Sequence, residues 1–277
     1  MRNATTVVIT GSTRGLGYAA ARYCLQRGAN VVISSENNNE LQAALSKLAT
    51  EYTYVAGCVC DVARREDVEA LLAFALERFG TVDVWINNAG TSTPSGAVID
   101  VPIALGEQVI ATNIFGVYYG SVLAARHFRR QGKGRLVNIV GRGEKKPVAT
   151  ANMYACSKAW IRNFTIAMQK ELEGSAIQLC AFNPGFIVTQ LSTRLRVMPG
   201  YEHLARSLRK IIPVLGASAD AAAEELVGLA LGPARMPVTR SRERLSVIVP
   251  LVFRRLVLRE PPPCDPADIH MQVVASE

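Results

Sequence analysis

The chain has 277 residues, 49% of them apolar, which is enough to bury one full domain core and too many for a disordered chain. No stretch reaches the roughly 18 uninterrupted apolar residues of a membrane-spanning helix. The sequence starts almost directly on the apolar run Thr6-Val7-Val8-Ile9, so no secretory leader and a cytosolic location are expected. The net charge of +8 raises the question of nucleic acid. The excess arginines gather late in the chain without interleaved aromatics, however, so no nucleic-acid partner is expected.

Apolar runs of strand length alternate with helical stretches from the start. Strands are expected at residues 6–10, 30–34, 54–59, 82–86, 135–140 and 177–182. Helices are expected at 16–27, 38–49, 65–79, about 105–130 and 151–173, and residues 90–96 form a loop. Strands that are apolar on both faces and separated by helices predict an α/β fold, a single Rossmann-like doubly wound parallel sheet flanked by helices. Right-handed crossovers then bring the C-terminal ends of the strands to one ligand-binding edge.

After Pro184 the alternation fades. Residues 191–215 are expected to be helical, with Arg194, Arg196, Arg206 and Arg209 among leucines, and 217–231 reads as an Ala/Leu helix. The division expected is a domain at 1–235 with a substrate lid at about 190–215, followed by an apolar, basic C-terminal extension at 236–277. Within it, 245–258 is strongly apolar with arginines on both sides, including Arg244 and Arg255. Such a segment suits peripheral contact with a membrane interface, packing at the sheet edge, or a second subunit. Pro261-Pro262-Pro263 is expected to end regular structure and leave the last dozen residues mobile.

The six cysteines (Cys24, Cys58, Cys60, Cys156, Cys180 and Cys264) lack paired C-x-x-C spacing, and His127, His203 and His270 do not cluster. No metal is expected, and the thiols read as reduced and mostly buried.

Two features carry chemistry. Thr10-Gly11-Ser12-Thr13-Arg14-Gly15-Leu16-Gly17 follows the first strand and opens a helix. Glycines let a pyrophosphate approach the backbone, and the helix N-terminus offers free N–H groups and positive potential. Further on, Tyr154 and Lys158 are four apart on one helix face. A phenol titrates near pH 10, and a neighbouring ammonium is expected to lower that value toward a useful acid/base.

The order of motifs resembles the short-chain dehydrogenase/reductase family over residues 5 to about 190. The glycine spacing is G-x-x-x-G-x-G. Asp61-Val62 follows the third strand, Asn87-Asn88-Ala89-Gly90 the fourth, and Asn113 lies in the next helix. Tyr154-Ala155-Cys156-Ser157-Lys158 opens the one after, and Pro184-Gly185 with Ile187 and Thr189 follows the sixth strand. The resemblance implies a nicotinamide-dependent oxidoreductase, with the cofactor held by Gly11, Thr13, Arg14, Gly15, Leu16, Gly17, Ser35, Asp61, Val62, Asn88, Ala89, Gly90, Pro184, Gly185, Ile187 and Thr189. It also implies Tyr154 as acid/base and Lys158 as its electrostatic tuner, which also holds the nicotinamide ribose. Asn113 would anchor a proton-relay water, and a dimer or tetramer would form through helices 105–130 and 151–173. Ser35 stands where NAD-dependent members carry Asp, and Arg14 where many NADP-dependent members place a basic residue. Glu36 argues the other way, and NADPH is expected over NADH.

One member of the pattern is missing. The serine that the family places thirteen residues before the tyrosine is Gly141, in Asn138-Ile139-Val140-Gly141-Arg142-Gly143. That serine donates a hydrogen bond to the substrate oxygen. Arg142, Thr150, Asn152 or a backbone N–H of the turn is expected to replace it, with Gly141 and Arg142 on the substrate side. Otherwise the protein is a catalytically weakened, NADP-binding sensor or scaffold. The chlorophyll b reductase branch resembles this arrangement and shares Trp85-Ile86-Asn87-Asn88-Ala89-Gly90 and Ile9-Thr10-Gly11-Ser12-Thr13. The substrate implied is a bulky apolar carbonyl or formyl compound, and the location would be plastidial if a targeting segment has been removed.

Overall fold

Runs of β-branched residues favour extended backbone, while Ala, Leu and charged residues repeating every three or four positions favour helix. The computed structural model describes residues 4–243 and 245–275. Its first half alternates as expected: β1 (Thr6–Ile9), α1 (Gly15–Gln26), β2 (Asn30–Ser35), α2 (Asn38–Ala49), β3 (Val55–Val59), α3 (Arg65–Phe79) and β4 (Val84–Asn87). Then come α4 (Ile103–Val109), a π-helical segment (Ile110–Phe115), α5 (Gly116–Gln131), β5 (Gly134–Ile139), α6 (Asn152–Glu171) and β6 (Ile177–Asn183).

The main sheet has seven parallel strands; β8 (Thr239–Ser241) completes the order β3-β2-β1-β4-β5-β6-β8. The direction of winding reverses between β1 and β4, which is where such sheets open a crevice for a ligand. Val7, Ile9, Val31, Ile33 and Ile86 join one buried cluster with residues of α1, α2 and α9 (Ala219–Leu231). Val8, Val32, Trp85 and Leu136 point the other way, into a cluster with α3 and α5. Alternation of this kind buries both faces of the sheet.

The structure departs from expectation in three places. The helix expected at 105–130 is interrupted by the π segment, where Asn113 lies fully buried. Ile103–Gln131 is long and apolar enough to cross a membrane, yet nearly half of it is buried against α3, α6 and the sheet. The segment 191–215 is not wholly helical. It divides into α7 (Gln190–Thr193), β7 (Arg194–Val197) and α8 (Glu202–Leu215). Nor does regular structure end at the prolines, because β9 (His270–Val273) pairs in parallel with β7. Arg-Leu-Arg-Val and His-Met-Gln-Val have the period-two pattern of a half-exposed strand, but four residues within a basic segment give that pattern little weight. Thr239–Ser241 joins the main sheet as its edge strand beside β6. Of the apolar tail, α10 (Leu245–Leu256) is helical and packs against α8; Arg244 lies outside the described residues.

Candidate active site

The glycine loop lies between β1 and α1 and meets the end of β4. A Cβ on Gly11 would come within 2.8 Å of Ala89 Cα, and one on Gly17 within 2.5 Å of Asn88 Nδ2. Only glycine permits that approach, and Gly11 and Gly15 also take positive φ values of 59° and 56°. Asn88 Nδ2 donates to Thr10 O (3.0 Å) and Gly11 O (2.8 Å). The Thr10 hydroxyl accepts from the N–H groups of Asn88 and Ala89. Thr10 thus ties the two loops together, although the sequence motif gives it no separate role. The N–H groups of Gly15, Leu16 and Gly17 open α1 and have no intrahelical acceptor.

Around this loop stand most of the residues expected to hold a cofactor. Ser35 ends β2, its hydroxyl accepting from Asn37 N–H at 3.2 Å. Asp61 caps its own turn by accepting from Ala63 N–H, and Val62 is buried against Gly116. Thr189 begins α7 with a reciprocal capping box to Ser192, and its methyl lies 3.2 Å from where a Gly15 Cβ would be. Gly185 N–H donates to Asn183 Oδ1, and Ile187 pairs with Ala217. The loop after β6 and the glycine loop therefore meet at Thr189. Arg14 is not a free cation: it pairs with Glu40 of α2, which also accepts from the Thr13 hydroxyl at 3.3 Å.

Tyr154 and Lys158 lie in the first two turns of α6, beside the ends of β4 and β5. Lys158 is buried; its Nζ donates to Ile139 O at 3.0 Å and lies 5.4 Å from the centroid of the Tyr154 ring. A Cβ on Gly90 would lie 3.3 Å from Asn113 Oδ1 and 3.6 Å from Lys158 Nζ, so Gly90, Asn113 and Lys158 converge. The Asn113 side chain is held by protein on both its nitrogen and its oxygen. Its Nδ2 donates to Thr91 O (2.9 Å) and Ser157 Oγ (3.0 Å), and its Oδ1 accepts from Thr91 N–H (2.8 Å). Ser157 in turn donates to Tyr154 O at 2.7 Å. Asn113 therefore braces the turn that carries Tyr154.

Electrostatics correct one expectation. Burial pushes the Tyr154 phenol up from 10.0 to about 12, with the Glu243 carboxylate adding to the rise. The neighbouring ammonium does not reverse this, because burial also lowers Lys158 from 10.5 to about 8. The sign for stability follows. The unfolded chain holds the Lys158 proton more tightly than the folded one, so stability rises with pH from about 8 to 10.5. Replacing Lys158 with Met removes a buried cation; the expected result in a thermal melt at pH 7 is a Tm higher by about 2–5 °C and loss of that alkaline rise. A lower Tm would contradict it.

Gly141 faces the tip of the Tyr154 side chain. A Cβ on Gly141 would lie 2.8 Å from Tyr154 Oη, and one on Gly143 2.4 Å from Ala155 Cβ. The turn after β5 thus lies flat on the start of α6, and the phenol fills the space a side chain at 141 would need. Of the substitutes expected, Thr150 donates its hydroxyl to Ala149 O, while Arg142 and Asn152 are exposed. Sequence reasoning missed Glu144, buried in that turn, which accepts from Asn183 Nδ2 at 3.0 Å. Glu243, facing Glu144 and Tyr154, is raised by burial and by Glu144. Nothing in its sequence position marks it as a neighbour of the tyrosine.

A parallel sheet with a glycine loop at its switch point, a tyrosine and a buried lysine is the frame of a dinucleotide-dependent oxidoreductase. Residues 5–199 match the family model described as short chain dehydrogenase, and the chain belongs to that family. It is 35% identical over 191 residues, 68% of this chain and 70% of the relative, to "Granaticin polyketide synthase putative ketoacyl reductase 1" of Streptomyces violaceoruber. It is 34% identical over 193 residues to the chloroplastic chlorophyll(ide) b reductase NOL of Oryza sativa subsp. japonica, covering 67% of this chain and 56% of that one. The solved structure of an actinorhodin polyketide ketoreductase with NADPH superimposes with a TM-score of 0.77 at 28% identity, covering 87% of this chain and 96% of that one. Nicotinamide nucleotides, NADH or NADPH, accompany solved structures of this fold.

Proposed function

We propose that this chain is an NADPH-dependent reductase of a carbonyl or formyl group on a bulky apolar molecule, with Tyr154 as the proton donor. The observation that carries the reading is the meeting of Tyr154, buried Lys158 and Gly90 at the strand ends beside the glycine loop. The residues fit a dinucleotide: unpaired N–H groups at the start of α1 suit a pyrophosphate, and Lys158 suits a ribose hydroxyl. A nicotinamide nucleotide held there would supply hydride chemistry to the carbonyl carbon. The phenol of Tyr154, neutral at pH 7, donates its proton to the developing alkoxide oxygen, and Lys158 stabilises the phenolate that remains. Replenishment of that proton needs water as the carrier, which the segment around Asn113 would anchor beside Lys158.

Likeness to a chlorophyll(ide) b reductase supports a formyl chlorin, and likeness to ketoacyl reductases supports a polyketide carbonyl. Segment 194–215, with apolar residues between Arg194, Arg196 and Arg206, suits either kind of apolar acid. Gly141 favours one second reading, a nucleotide-binding sensor without useful turnover. The partly exposed aromatic group of Phe115, Tyr118, Tyr119, Trp160 and Phe164 on α5, α6 and the π segment supports assembly into a dimer or tetramer through these helices.

Preference for NADPH rests on Arg14, and Glu40 competes for it. A 2′-phosphate has to draw Arg14 away from Glu40 and then sits beside a carboxylate. In Glu40→Gln the KM for NADPH is expected to fall by about 3–10-fold, the scale of an exposed ion pair plus a relieved repulsion, with the KM for NADH nearly unchanged. Arg14→Ala should raise the KM for NADPH alone. A Glu40→Gln enzyme that loses NADH binding would instead assign Glu40 to the ribose 2′-hydroxyl and reverse the preference.

A further inference from the structure

Among the described residues, the C-terminal segment leaves an apolar face without a partner. On α10 and the turn after it, Val249, Phe253, Leu256, Val257 and Leu258 are each between 51% and 62% exposed. Val249, Phe253, Leu256 and Val257 fall at i, i+4, i+7 and i+8, one stripe of the helix and the turn after it; α10 also packs against α8. Five large apolar side chains exposed within ten residues are unusual for a soluble surface. The stripe is bordered by cations. Residues 245–259 include Arg254, Arg255 and Arg259 and no acid, and α8 presents exposed Arg206 and Lys210 alongside. Glu260, the next acidic residue, is paired with Arg254.

We propose that this face of α10 docks on an anionic lipid surface, with the apolar stripe entering the headgroup–acyl boundary and the arginines meeting lipid phosphates. Charge decides between lipid and a second copy. A two-fold contact between two such faces would bring Arg254, Arg255 and Arg259 of both copies together, and like charges at an interface disfavour it. An anionic membrane offers apolar depth and opposite charge in the same place. The position also has a consequence for access. Arg209 of α8 donates to Ile269 O at 3.1 and 2.8 Å, and the adjoining β9 pairs with β7. Ser95, in the loop after β4, donates to Arg196 O. The docked helix is therefore joined to the strands expected to cover the substrate, and a bilayer is where a bulky apolar molecule partitions.

The test uses the full chain and vesicles, independent of turnover. At low salt the protein should sediment with phosphatidylcholine vesicles containing phosphatidylglycerol, and at least about tenfold less with phosphatidylcholine alone. Phe253→Glu/Leu256→Glu should abolish sedimentation, and Arg255→Gln/Arg259→Gln should remove its dependence on phosphatidylglycerol. Both variants should keep the circular dichroism and Tm of the parent, since Phe253, Leu256 and Arg259 are exposed and Arg255, half-buried, keeps most of its aliphatic stem as Gln. Failure to sediment with anionic vesicles, or sedimentation that survives Phe253→Glu/Leu256→Glu, overturns the proposal. So does a fall in oligomer mass on light scattering in that variant, which would assign the face to a second copy. If the double variant misfolds, Val257→Glu alone must weaken sedimentation for the proposal to stand.

Discussion

Replacing Tyr154 with Phe should lower kcat by about 10³-fold while leaving the fold and NADPH binding intact. The variant loses one hydroxyl, and general acid catalysis by a positioned group contributes about 10²–10⁴-fold. The ring would still pack beside Lys158, whose ammonium lies 5.4 Å from its centroid, so Tm should shift by no more than a degree or two. Stopped-flow measurement of hydride transfer separates this from a defect in binding: the dissociation constant for NADPH stays, and the chemical step slows. A Tyr154→Phe enzyme with more than about a tenth of parental kcat would move the proton donor elsewhere, with Glu243 or Glu144 the next groups to examine.

The second expected result is counterintuitive. Restoring the family's serine at Gly141 should damage the enzyme, not improve it. A Cβ there would lie 2.8 Å from Tyr154 Oη, inside the closest approach of real atoms, so either the phenol or the turn after β5 has to move. The turn lies against α6 at Gly143 and is closed on itself by the hydrogen bond from Glu144 N–H to Gly141 O. The phenol should move instead, and a displacement near 1 Å at a reacting group costs on the order of 10²-fold. Gly141→Ser and Gly141→Ala should therefore fall together in kcat/KM by about 10–100-fold, because the Cβ and not the hydroxyl does the harm. A serine variant faster than the parent would mean that the space is open and that the donor is simply missing.

Much of this was legible in the sequence because local and global signals agree. Asn38–Ala49 and Arg65–Phe79 are helices over the residues expected, and six main strands fall within one or two residues of their apolar runs. The glycine loop, Asn88, Gly90 and Thr189 were legible because their spacing is tied to strand ends. What escaped notice depends on contacts distant in sequence. Glu40 reaches Arg14 across 26 residues, and Glu243 approaches Tyr154 from beyond β8. Neither residue type is unusual in its own segment. The strands β7 and β9 escaped because each is four residues long and stable only through the other, 76 positions away (270 − 194). Gly141 was legible as an absence, but its approach to Tyr154 Oη depends on a contact 13 residues away (154 − 141) across the turn after β5.

The measurement that bears most directly on the central claim is NADPH oxidation by the full chain against a panel of bulky carbonyl compounds that includes a formyl chlorin and aromatic polyketide ketones, run beside Tyr154→Phe. The account predicts substrate-dependent oxidation for at least one member, giving the corresponding alcohol, and its near-abolition in the variant. Tight NADPH binding with no oxidation across the panel, or turnover that Tyr154→Phe leaves intact, would contradict it.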